Sequence, residues 1–117
     1  MNFVANSAVV LVAVLHLGFL AIEMFFWDHP FGRKTFGMTP EYSKASATLA
    51  ANQGLYNGFL AAGLMRGLLA GDASIKIFFL VCVVIAGVYG GFTAKRSILY
   101  MQALPGLLAL LLVYLTR

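Results

Sequence analysis

The chain has 117 residues, 62% of them hydrophobic and only 10% charged. Soluble domains carry about a quarter charged residues, so this composition excludes an ordinary water-dispersed globule and points to lipid as the solvent. The net charge of +4, from eight Lys/Arg and four Asp/Glu, reads as a membrane-topology signal instead of a nucleic-acid footprint.

A bilayer core about 30 Å thick needs roughly 20 apolar residues at 1.5 Å rise each. The first such stretch runs over 3–27, interrupted beyond its first few residues only by His16 and Glu23. It lacks the cationic start of a secretory signal and is too long for one, so a retained first span is expected. A polar connection follows over 28–44, containing Pro30, Gly32, Gly37 and Pro40. Thr39-Pro40-Glu41 reads as a helix start, with Thr as N-cap, Pro at the first position and an acid in the first turn. The second span is expected over 45–69, ending at Gly71-Asp72, the third over 75–92 and the fourth over 98–115. Spans three and four are joined only by Thr93-Ala94-Lys95-Arg96-Ser97, which predicts a tight antiparallel hairpin. The apolar runs are continuous, not alternating, and too long for the strands of a membrane barrel. The expected fold is all-α: an integral membrane four-helix bundle, up-down-up-down, with 1–117 as a single transmembrane domain. Cys82, the single cysteine, lies in the third apolar run and excludes an intrachain disulfide.

Four spans put both termini on one side. The connections after spans one and three carry Arg33, Lys34, Lys44, Lys95 and Arg96, against Arg66, Lys76 and Arg117 opposite. The excess places the two hairpin connections in the cytoplasm and both termini outside a cell membrane. Phe25, Phe26, Trp27, Phe31, Phe36 and Tyr42 around the first connection resemble an interfacial aromatic belt. Basic residues interleaved with aromatics over 31–44 suit lipid headgroups better than a nucleic acid, and no nucleic-acid partner is expected.

Polar groups inside hydrocarbon cost free energy unless paired, so each is a functional candidate. Counting from the first connection, Glu23 lies roughly 6 Å deep, Asn52 and Gln53 roughly 9–10 Å, and His16 and Asn57 roughly 16 Å. Glu23 is thus expected within about a turn of Asn52 and Gln53 in depth, and His16 level with Asn57. Tyr89, Thr93, Tyr100 and Gln102 join them at that end, while the other half is almost purely Leu, Val, Ala and Gly. His16 and Glu23, seven apart, share a helical stripe, and Asn52, Gln53, Tyr56 and Asn57 fall within an arc of roughly 140°. Helix glue or headgroup-level pairing of Glu23 with Lys44, Lys95 or Arg96 explains each residue singly. Their concentration favours a cavity open to the hairpin side. The small-residue series Gly54/Gly58/Ala62, Gly63/Gly67/Gly71 and Gly87/Gly91 permit close helix approach within the bundle or, second, between copies in a homo-oligomer. Pro105 is expected to kink span four just beyond Gln102.

His16 and His29 are not spaced as a metal-binding pair, so no metal site is expected. The serines sit near span ends or in connections without a nucleophile elbow, and no glycine-rich loop follows a strand, so no cofactor is expected.

Three strings now carry a resemblance: Glu23-Met24-Phe25-Phe26-Trp27, the run Asn52-Gln53-Gly54-Leu55-Tyr56-Asn57-Gly58-Phe59-Leu60-Ala61-Ala62-Gly63, and Gln102-Ala103-Leu104-Pro105-Gly106. Across nearly its whole length the chain resembles the bacterial family catalogued as domain of unknown function 1304 (DUF1304). The resemblance implies a compact four-helix inner-membrane protein and supplies no catalytic residue.

The leading expectation is a membrane protein that binds or processes a small amphiphilic ligand. His16, Glu23, Asn52, Gln53, Tyr56, Asn57 and Gln102 would line its pocket, and Arg33, Lys34, Lys95 and Arg96 would hold an anionic headgroup at the mouth. Should chemistry occur there, Glu23 or His16 would carry the proton. An oligomeric proton or ion channel is the second reading, with His16 and Glu23 as relay stations. A structural or regulatory subunit, with the polar cluster as adhesive, is the third.

Overall fold

The computed structural model describes residues 2–117 and is all-α: five α-helices, one π-helical segment and no strand among the described residues. Helix α1 spans Phe3–Phe25, α2 Pro30–Phe36, α3 Pro40–Ala70, α4 Ala73–Thr93 and α5 Leu104–Thr116, with a π-helical segment over Leu99–Ala103 before α5. Among the described residues, three stretches are long and apolar enough to cross a membrane: Phe3–Phe25, Ala73–Thr93 and Leu99–Thr116. The 31-residue α3 is the longest helix, but Asn52, Gln53, Asn57 and Arg66 dilute its apolarity and it is not among the three.

The helix ends follow local chemistry. Thr39 Oγ1 accepts from Tyr42 N at 3.1 Å, so Thr39-Pro40-Glu41 does start a helix. Asp72 caps α4 by accepting from Ser74 N at 2.9 Å and Ile75 N at 3.4 Å. Those hydrogen bonds, that of Ser74 first, hold the Asp72 carboxyl below its ordinary range. Within 28–44, read from sequence as a bare connection, the chain forms α2. His29 Nδ1 accepts from Phe31 N at 3.1 Å, Pro30 opens the helix, and Gly37, at φ 63°, closes it in the left-handed conformation.

The chain divides into two compact units. The first, Met1–Leu15 with Leu60–Arg117, is apolar. Its core is Ala5, Val9, Val12, Ala13, Ala61, Leu64, Leu80, Val83, Ala109 and Val113. Here α4 packs along α5 and the π-helical segment. Glycines set the spacing: a Cβ on Gly87 would lie 2.7 Å from Ala103 N, and one on Gly106 2.8 Å from Val83 Cγ1. In hydrocarbon such van der Waals fit, not solvent exclusion, holds helices together. Pro105 has no N–H to donate, and the preceding turn widens so that Leu104 N donates to Leu99 O. Gln102 spends its amide here, Nε2 donating to Val83 O at 3.1 Å.

This unit also buries a charged residue: Lys76 is 9% exposed and donates to Asn6 Oδ1 at 3.1 Å. Lys76, Leu80, Val83 and Gly87 form the buried stripe of α4. Gly67 makes room, since a Cβ there would lie 2.7 Å from Lys76 Cγ.

The second unit, His16–Phe59, holds the end of α1, all of α2 and the start of α3. It contains most of the polar residues singled out by sequence.

Candidate functional site

In the polar unit, the inward face of α1 presents Leu20, Glu23 and Met24 to Gly54 and Gly58 of α3. A Cβ on Gly54 would fall 2.7 Å from Met24 Cγ, 3.1 Å from Glu23 Cβ and 3.2 Å from Leu20 O. One on Gly58 would fall 2.7 Å from Leu20 Cδ1. Only glycine permits this approach, and Asn57, on the same α3 face, is thereby carried to Glu23. Its Nδ2 donates to Glu23 Oε1 at 2.5 Å, and both residues are half-buried.

This register differs from the depth count, which set Glu23 within about a turn of Asn52 and Gln53 and His16 level with Asn57. Helical side chains lean toward their own N-terminus. Glu23 therefore leans deeper and Asn57 leans back toward the connection, so residues offset in backbone depth meet. His16 lies two turns before Glu23 on the same α1 stripe and is 0% exposed. Its ring meets Phe19 edge-on, centroids 5.2 Å apart. Asn52, Gln53 and Tyr56 lie on an exposed face of α3, where Tyr56 meets Phe59 edge-on at 5.9 Å.

At the connection end, α2 is tied to the segment that follows α1 and, through it, to α3. Asp28 Oδ1 accepts from Ser43 Oγ at 2.7 Å and pairs with Arg33 Nη1 at 2.9 Å. Trp27 Nε1 donates to Ser46 Oγ at 2.9 Å, and its ring tilts onto Phe36 at 5.1 Å. Gly32 is buried against the Phe26 and Trp27 carbonyls. Arg33 is half-buried, while Lys34 is exposed. The Ser43 hydrogen bond first, and Arg33 after it, hold the Asp28 carboxyl below its ordinary range. A depressed carboxyl contributes stability that is complete above its unfolded value near 3.8 and is lost as pH falls below it. Amide protection over 29–37, taken relative to the intrinsic exchange rate at each pH, should accordingly fall below about pH 4, and Asp28→Asn should flatten that dependence. Protection that does not change with pH in the unsubstituted protein would contradict this.

The structure thus joins Glu23 to Asn57 and leaves Asn52, Gln53 and Tyr56 on an open face. Gln102 belongs to the apolar unit, as do Lys95 and Arg96, which are exposed on the connection after α4. Sequence reasoning missed the Asp28–Ser43–Arg33 clasp, although the close spacing of an acid and two bases around Pro30 and Gly37 was its signal. Among the described residues no three His, Cys, Asp or Glu side chains converge as metal ligands. Chemically, the Glu23–Asn57 pair offers a carboxyl group oriented by an amide, able to accept or donate a hydrogen bond or exchange a proton.

Comparison with known proteins adds a family without an activity. The chain is 29% identical over 105 residues, 86% of its length and 88% of the relative's, to the uncharacterized protein YpaA of Lactococcus lactis subsp. lactis (strain IL1403). No solved structure matches it. The family model described as "Protein of unknown function (DUF1304)" matches residues 10–114, and the chain belongs to that family.

Proposed function

We propose that the protein is a multi-pass membrane protein that holds the polar end of a small amphiphilic molecule at the α1–α3 face of its polar unit. The observation that carries this reading is the Glu23–Asn57 hydrogen bond beside the exposed amides of Asn52 and Gln53 and the exposed Tyr56. A half-buried carboxyl with one amide partner keeps acceptor capacity to spare, and the neighbouring donors have no packing task. A molecule bearing hydroxyl or amide groups meets both needs, with its tail along exposed Leu49, Leu55 and Phe59. Arg33, clasped by Asp28, and Lys34 stand on the same connection and suit an anionic headgroup.

In this reading α3 crosses the bilayer with the other three long stretches, its polar residues covered by the ligand or by a second copy of the chain. Burial of Lys76 removes it from the headgroup tally. The exposed basic residues Lys34, Lys44, Lys95 and Arg96, with half-buried Arg33, then outweigh Arg66 and Arg117, which supports both termini outside the cell membrane.

The test is a mass-spectrometric inventory of molecules that co-purify in native lipid discs, unsubstituted protein against Glu23→Gln. A specific molecule should be present in the first and depleted about tenfold in the second, the loss expected for one charge-assisted hydrogen bond. Identical bulk lipid in both would overturn the reading. Proton flux in liposomes abolished by Glu23→Gln would replace it with the channel.

A further inference from the structure

The apolar unit contains a cavity of about 230 Å³ lined by Asn2, Asn6, Lys76, Thr116 and Arg117, with Ala5, Gly71, Ala73 and Val113 as its other walls. It lies where the start of α1, the Gly71 turn, the start of α4 and the end of α5 meet. None of the residues proposed to bind the amphiphile contributes to it. Its most unusual member is Lys76, a lysine nine-tenths buried as a residue in the first turn of α4. There the helix dipole opposes a positive charge instead of offsetting it.

The only hydrogen-bond partner seen for this ammonium among the described residues is neutral, the Asn6 amide oxygen at 3.1 Å. No carboxylate of the described residues lies within ion-pair distance of it. The nearest in sequence, Asp72, makes its contacts on its own helix, its Oδ1 accepting from Ser74 N and, at 2.6 Å, from Ser74 Oγ. It interacts with Lys76 only through space, the Lys76 charge helping to hold the Asp72 carboxyl low. A second cation borders the same cavity. Arg117 Nη1 donates to Tyr114 O at 2.5 Å, and the guanidinium lies 3.9 Å over the Tyr114 ring, which fixes it while leaving other N–H donors uncommitted. A largely buried cation whose direct contacts are neutral is costly, and an anion seated in the cavity beside it would offset that cost.

We propose that this cavity seats a phosphate group, with Lys76 as the buried cation, Arg117 at the rim, and the Asn2 amide and Thr116 hydroxyl as neutral donors. Two cations and several donors suit an oxyanion with more than two oxygens, and the volume exceeds what a lone halide fills. A phospholipid headgroup and a free phosphate share this chemistry.

Two binding measurements on the purified full chain separate the sources. Native mass spectrometry counts phosphatidylglycerol retained from discs of phosphatidylcholine doped with it, and titration calorimetry in a phosphate-free maltoside detergent measures inorganic phosphate. In whichever arm the unsubstituted protein binds saturably, Lys76→Met should weaken binding about tenfold or more, as loss of a charge-assisted contact implies. Lys76→Arg should retain most of it. Glu23→Gln should leave it unchanged, so failure here and failure of the amphiphile reading are distinguishable. Arg117→Gln, at the rim, gives a second reading if Lys76→Met does not fold, and should weaken binding several-fold. No saturable binding in either arm overturns the proposal, as does unchanged affinity in Lys76→Met or, where that variant does not fold, in Arg117→Gln.

Discussion

Gly87→Val is expected to be among the most damaging single substitutions in the apolar unit, lowering stability by roughly 3 kcal/mol through overpacking. A Cβ on Gly87 meets Ala103 N at 2.7 Å and Ala103 Cα at 2.9 Å. Both are backbone atoms, so no rotamer change relieves the clash. The π-helical turn forced by Pro105 would have to withdraw from α4, and Gln102 would lose its hold on Val83 O. Gly90→Ala is the control, because its Cβ would meet only Ile98 methyl carbons at 3.4 Å; it should be neutral or slightly stabilising. Thermal unfolding in detergent separates the two, and equal midpoints would show that the α4–α5 approach is not what those glycines provide.

The second large effect is expected in the polar unit. Asn57→Leu removes the donor from a half-buried carboxyl and should cost about 1–2 kcal/mol, at the upper end for a polar contact within a membrane helix pair. Glu23→Gln in the same background should cost much less than it does alone, because the pair is already broken. A double-mutant cycle measures this coupling directly. Strict additivity would mean that the Glu23–Asn57 hydrogen bond contributes nothing to the join of α1 and α3. Such a result would also remove the geometric basis for a carboxyl oriented toward a ligand.

How much of this was legible depended on the range of the interaction. The long apolar stretches of α1, α4 and the last helix announce themselves by length, and Thr39-Pro40-Glu41 announces the start of α3 through local hydrogen-bond chemistry. Seven residues are too few to show a period, so α2 did not stand out, although His29, Pro30 and Gly37 carry its capping signals. The contact of Asn6 with Lys76 joins residues 70 apart in sequence, a pairing no local pattern encodes. The burial of Lys76 was nonetheless visible in outline, since Lys76, Leu80, Val83 and Gly87 follow the spacing of one helical stripe. Depth counting grouped Glu23 with the right helix and the wrong residues, because it follows backbone rise and ignores the lean of side chains. The role of Gln102 was hidden for another reason. A polar residue in an apolar run suggests a site, whereas a Pro-distorted turn consumes it in bonding a neighbouring helix.

Glue and binding site make opposite demands on Asn52 and Gln53, which are exposed on α3 and so contribute little to packing within the chain. The most direct measurement of the central claim is therefore a paired one on Asn52→Leu/Gln53→Leu: melting temperature, and the co-purifying molecule retained in native lipid discs. A ligand-binding face predicts an unchanged midpoint, measured on protein stripped of its ligand, together with a bound molecule depleted about tenfold or more. A lowered midpoint with the molecule retained would contradict it and identify the polar face as an adhesive surface.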